Sequence, residues 1–92
     1  MARIELFNEA ADALDALIAA DDPLGDRVED ALDVIATDPF DVRVRRRMLS
    51  GPKRFIYIVY GPGNDPDWMI LWHVEQEDVP VVVVDYIGPS IF

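Results

Sequence analysis

Cysteine is absent from the 92 residues, lysine and histidine occur once each, and no apolar run approaches the ~20 residues a membrane-spanning helix needs. Without cysteine, disulfide staples and thiolate chemistry are excluded, and a cytoplasmic location is the expectation. There is no charged start followed by an apolar stretch and a small-residue cleavage site, so no secretory leader is expected. A wholly disordered chain is excluded as well. Apolar residues make up 51% of the sequence, enough to offset the entropy of ordering. The length suits one small core, so a single domain over residues 1–92 is expected.

What is present is a lopsided charge. Eight cations face eighteen carboxylates, a net charge of −10. Residues 1–42 hold two arginines and twelve acids, and residues 55–92 hold six acids and no lysine or arginine. All six remaining cations, Arg43, Arg45, Arg46, Arg47, Lys53 and Arg54, fall within residues 43–54, where there is no acid. One basic island therefore sits in an acidic chain. Such acidity fits either a high-salt cytoplasm, where screening weakens self-repulsion, or ordinary compositional bias.

The periodicities give an order of elements. Residues 2–7 alternate loosely and read as a short strand. Asn8 is expected to open a helix as its cap, with Ala10, Leu14, Leu17 and Ile18 forming its apolar stripe. Asp22-Pro23 restarts the chain as a second helix, with Asp22 as cap and proline at the first helical position. Leu24, Val28, Ala31, Leu32 and Ile35 form the second stripe, and Asp38-Pro39 ends it. The basic segment reads as a loop leading into a strand. Residues 55–60, 68–74 and 79–87 then read as three strands joined by short turns. The expected fold class is α+β: a two-layer sandwich in β-α-α-β-β-β order, with a helical hairpin packed on an antiparallel-meander sheet.

This order and punctuation resemble the RelE/ParE superfamily, the toxins of type II toxin–antitoxin modules. The resemblance runs over nearly the whole chain. It is carried by Ile4–Phe7 with Asn8-Glu9-Ala10, by Ala31–Pro39, by Arg45–Gly51, by Trp68–Val74 and by Val81–Gly88. It implies a RelE/ParE-like toxin domain that is bound by a cognate antitoxin and inhibits translation by ribosome-dependent messenger RNA cleavage. Two alternatives stay open: a gyrase-inhibiting, ParE-like toxin, and a non-catalytic interaction module that has lost the ribonuclease residues. The sequence departs from the family in three places. The strand at residues 55–60 has no internal cation, Met69 stands at the position of the third-strand arginine, and a short tail follows Gly88. None of the family's ribonuclease side chains is matched residue for residue.

Three kinds of site remain to weigh. Arg45, Arg46, Arg47, Lys53 and Arg54 suit docking of phosphates or of an acidic antitoxin tail, since arginine makes bidentate charge-assisted hydrogen bonds. A solvated loop or an intramolecular match to the acidic helices explains them equally. His73 is the catalytic candidate, a possible acid or base near neutral pH that shares a strand face with Met69 and Leu71; the structural alternative is a strand-end histidine covered by the sheet. Glu75 and Glu77 continue its parity, but the series runs into a turn, so no metal site and no cofactor are expected. Asp65 and Asp67 are read as turn residues, and the tyrosines and tryptophans as sheet packing. The discriminating feature is the open sheet face. Cations converging there with His73 favour an enzyme, and a smooth face of Met69, Leu71 and Ile56 or Ile58 favours a binding module.

Overall fold

The computed structural model describes residues 2–45, 47–49, 53–76 and 78–91. Its elements run β1 (Arg3–Leu6), α1 (Asn8–Ala19), α2 (Pro23–Thr37), β2 (Arg47–Leu49), β3 (Arg54–Val59), β4 (Trp68–Glu75) and β5 (Val81–Pro89). No helix among the described residues is long and apolar enough to cross a membrane.

The helical hairpin forms much as its sequence dictates. The Asp22 carboxylate accepts a hydrogen bond from the Leu24 N–H at 2.9 Å, and Pro23 occupies the first turn, where no N–H is needed. Between the helices, Asp21 takes a left-handed φ of 53°, a conformation that aspartate tolerates better than most residues. The Asp22 N–H then returns to the Leu17 carbonyl and closes α1. At the start of α1 the expectation fails. Phe7 is the capping position and no side chain caps it, because Asn8 already lies inside the first turn. Ala10, Leu14 and Leu17 are buried as expected, whereas Ile18 is half exposed at the rim of the stripe.

The five strands form one open, mixed sheet in the order β1-β5-β4-β3-β2. β3, β4 and β5 make the expected antiparallel meander. Two features differ from the sequence expectation. β1 runs parallel to β5, from Arg3 opposite Val81 to Leu6 opposite Val84, so the sheet is not wholly antiparallel. The basic segment is also not simply a loop. Arg47–Leu49 pairs antiparallel with Arg54–Ile56, adding a seventh element. An edge strand tolerates cations that a central strand does not, so a basic composition did not preclude pairing there.

Strand alternation divides the sheet. Phe55, Val59, Ile70, Trp72, Val82, Val84 and Ile87 join the buried stripes of both helices in one core, with Ile4, Leu6, Trp68 and Val74 packed at its margin. Trp72 is fully buried, tilted 41° against the Phe55 ring at 4.9 Å. Its indole Nε1 has no hydrogen-bond partner among the described residues, a cost that its packing must offset. Both helices lie on this face.

Candidate functional site

The face away from the helices is where the chemistry collects. β4 presents Met69, Leu71, His73 and Glu75 there, and β3 presents Arg54, Ile56 and Ile58 by the same alternation. Ile56, Met69 and Val83 are buried despite having no helix over them. Part of the cover is Tyr86, whose hydroxyl would lie 2.3 Å from a Cβ placed on Gly88. Only glycine lets the phenol ring lie flat on the strand at that point.

One irregularity shapes the site. Leu71 pairs with Tyr86 and Trp72 with Val84, so Asp85 is an extra residue on β5, a β-bulge. The bulge brings the Asp85 carboxylate to the open face. Its Oδ2 lies 2.7 Å from Nδ1 of His73 and 3.2 Å from Nε of Arg54. The other ring nitrogen, Nε2, lies 3.1 Å from Oε1 of Glu75. His73 and Asp85 are deeply covered, with side-chain exposures of 9% and 13%, whereas Glu75 is 57% exposed. The histidine is thus held on one side by a largely covered carboxylate and met on the other by an exposed one.

The hydrogen-bond inventory constrains the protons. A neutral imidazole has a single N–H to donate. Both ring nitrogens face carboxylate oxygens, so both contacts are hydrogen bonds only if the ring carries two protons or one of the two carboxyls carries one. With a doubly protonated ring, the two cations His73 and Arg54 balance Asp85 and Glu75. Asp85 fixes the ring through Nδ1, and Nε2 faces the solvent side, where its partner Glu75 is exposed. That is the arrangement a general acid or base requires. The guanidinium of Arg54 makes its ion pair through Nε and its Nη1 donates to the Lys53 carbonyl at 3.4 Å, which leaves Nη2 to meet an anion.

The other basic residues are dispersed. Arg45 is half-buried. Its guanidinium stacks on Phe55 at 4.4 Å and Phe40 at 4.7 Å, and its Nε–H donates to the Pro39 carbonyl at 2.6 Å. It braces the margin of the core rather than projecting to solvent. Arg47 and Lys53 are exposed and have no ion-pair partner among the described residues. Arg46 lies outside the described residues. Of the four described basic candidates, only Arg54 joins His73, through their shared partner Asp85. Arg43, on the same segment, grips Asp41 through Nη2 at 2.7 Å, and its hydrogen bonds are the main reason the Asp41 carboxyl pKa falls from 3.8 to about 2.

The remaining sequence candidates resolve as structure. Asp67 Oδ1 accepts the Gly61 N–H at 3.0 Å and its carbonyl accepts the Ser90 N–H, while Asp65 N–H donates to Pro62. Both aspartates hold the β3–β4 turn. Glu75 faces the imidazole, and Glu77 lies outside the described residues; no metal-binding group of three or more ligands occurs among the described residues. Asp85 is the residue that sequence reading missed. Its signal was a lone carboxylate inside the apolar run Val81–Ile87, but plain alternation gives no hint of the bulge that aims it. No family model matches the chain, and no curated protein or solved structure does either.

Proposed function

We propose that the chain is the toxin subunit of a type II toxin–antitoxin pair, of RelE/ParE type, acting on translation by messenger RNA cleavage and held inactive by a cognate antitoxin. The observation that carries this reading is the pairing of the first strand with the last. β1 lies alongside β5, the helical hairpin covers one face, and the opposite face is left bare with His73, Asp85 and Arg54 upon it. A general acid–base group beside a cation on an open face suits attack on a phosphodiester. The order of elements supports the family resemblance.

A second reading has its own support. His73 and Arg54 are both engaged by carboxylates, and Ile56, Met69 and Val83 make much of the bare face apolar. A toxin-fold module that only binds its partner would look like this. Inducible expression without an antitoxin separates the two. The toxin reading expects growth arrest with messenger cleavage, relieved by His73→Ala at unchanged protein level. Arrest without cleavage moves the target to gyrase or another protein, and unimpaired growth leaves only the binding module.

A further inference from the structure

The sheet has an edge that is covered for only half its length. β2 pairs with Arg54–Ile56 and goes no further. Tyr57, Ile58 and Val59 pair with β4 on one side and with no strand among the described residues on the other. The chain leaves this edge because residues 41–45 turn inward. Val44 N–H donates to Asp41, Arg45 N–H donates to Val42, and the Val44 side chain is buried. Natural edge strands are protected by charges, prolines or bulges. Tyr57-Ile58-Val59-Tyr60 contains none of these and consists wholly of β-branched and aromatic residues, although Arg27 Nη1 donates to the Tyr60 carbonyl at 3.4 Å at its end. Three depressions of about 390, 250 and 230 Å3 flank it, and Tyr57 lines all three. At their rim Val34 is 50% and Tyr60 68% exposed.

The charges along this trough select the occupant. Arg27, Arg43 and Arg47 line it together with Asp30, Asp38 and Asp41. It is therefore locally neutral, and the entire net charge of −10 falls on the rest of the chain. A polyanion such as RNA, or an acidic peptide, gains no net attraction here. A second copy of the same chain meets no net repulsion here, whereas it would across an acidic surface. An isologous contact also needs a self-complementary patch, and four uncharged residues paired antiparallel about a two-fold axis provide one.

We propose that this free half-edge is a homodimer interface. Two copies pair antiparallel about a two-fold axis at Val59, with Val59 opposite the partner's Val59 and Ile58 opposite the partner's Tyr60, so that opposed side chains share a face and both sheets join into one. The proposal is independent of the toxin reading. It leaves the bare sheet face with His73 outside the contact.

Sedimentation equilibrium of the purified chain tests it at protein concentrations from about 10 μM to about 1 mM. Measurements in about 0.15 M and about 1 M potassium chloride shorten the screening length from about 8 Å to about 3 Å. The expected result is a monomer–dimer equilibrium that tightens with salt as repulsion between the acidic bodies is screened. Tyr60→Glu weakens it roughly tenfold or more by placing a charge on the paired edge. Phe7→Glu makes the same change in net charge at the opposite edge of the sheet, where Phe7 is 54% exposed, and leaves the equilibrium within about twofold. A monomer throughout overturns the proposal, and so does a dimer that both substitutions affect equally. If Tyr60→Glu does not fold, amide exchange of the wild type decides. Protection of residues 57–60 must rise with protein concentration, and a concentration-independent rate there overturns it.

Discussion

The two faces of the sheet are made by one alternation and have opposite fates. Toward the helices, Ile70 and Trp72 of β4 meet Val82, Val84 and Ile87 of β5 in a core with no ionisable side chain. One residue out of phase, the same strands carry Met69, Leu71, His73 and Asp85. There the burial of apolar groups is interrupted by a histidine, two carboxylates and an arginine. The core face is held by area removed from water. The bare face is held by pairing, which is worth little unless every member is satisfied. What the difference teaches is that a sheet this small can keep one face apolar and carry a charged cluster on the other, provided the covered charges are arranged to satisfy one another.

Substitutions can break this contrast at graded cost. The largest expected loss is on the core face. Trp72→Ala removes the fully buried indole and costs about 3–5 kcal/mol, read as a lower urea midpoint. If it cost no more than a surface change, the division of the faces would be wrong. Next is Asp85→Ala, which strands His73 and Arg54 without their shared anion and costs about 3 kcal/mol. A double-mutant cycle of Asp85→Ala with His73→Ala isolates their coupling, expected at about 1–3 kcal/mol; a value near zero would mean the bulge does not hold the ring. Glu75→Gln, at the exposed end of the cluster, changes stability by less than about 1 kcal/mol. The smallest effect lies outside both faces. Asp41 is held ionised down to about 2 by Arg43, so its contribution is present above the ordinary 3.8 and disappears as pH falls through about 2. An NMR titration of its carboxyl checks this, and Arg43→Gln should return the midpoint toward 3.8.

The legible and illegible parts of the fold differ in range. Asp22-Pro23 announces the second helix because a cap acts over two or three residues, and both helical stripes follow from a period of 3.6. The meander was readable for the same reason: its strands are short apolar runs divided by turn residues. The cap of α1 was misplaced by one residue, within the usual uncertainty of helix ends. At the site, the parity of β4 correctly set His73 on the face with Met69 and Leu71. Arg45 was misleading, because as a member of a basic run it read as a docking cation, yet Phe40 and Phe55, from the segments just before and after it, stack on it.

The sequence by itself determined the kinds of elements, their order and which residues of each share a side, because these follow from periodicity and capping within a few neighbours along the chain. Only the tertiary structure decided that β1 runs parallel beside β5, that Arg47–Leu49 adds a strand, and that a one-residue bulge carries Asp85 to His73. Pairing partners and register are set by contacts between segments far apart in sequence. A slip of one residue, invisible in composition, turns a side chain from one face of a sheet to the other.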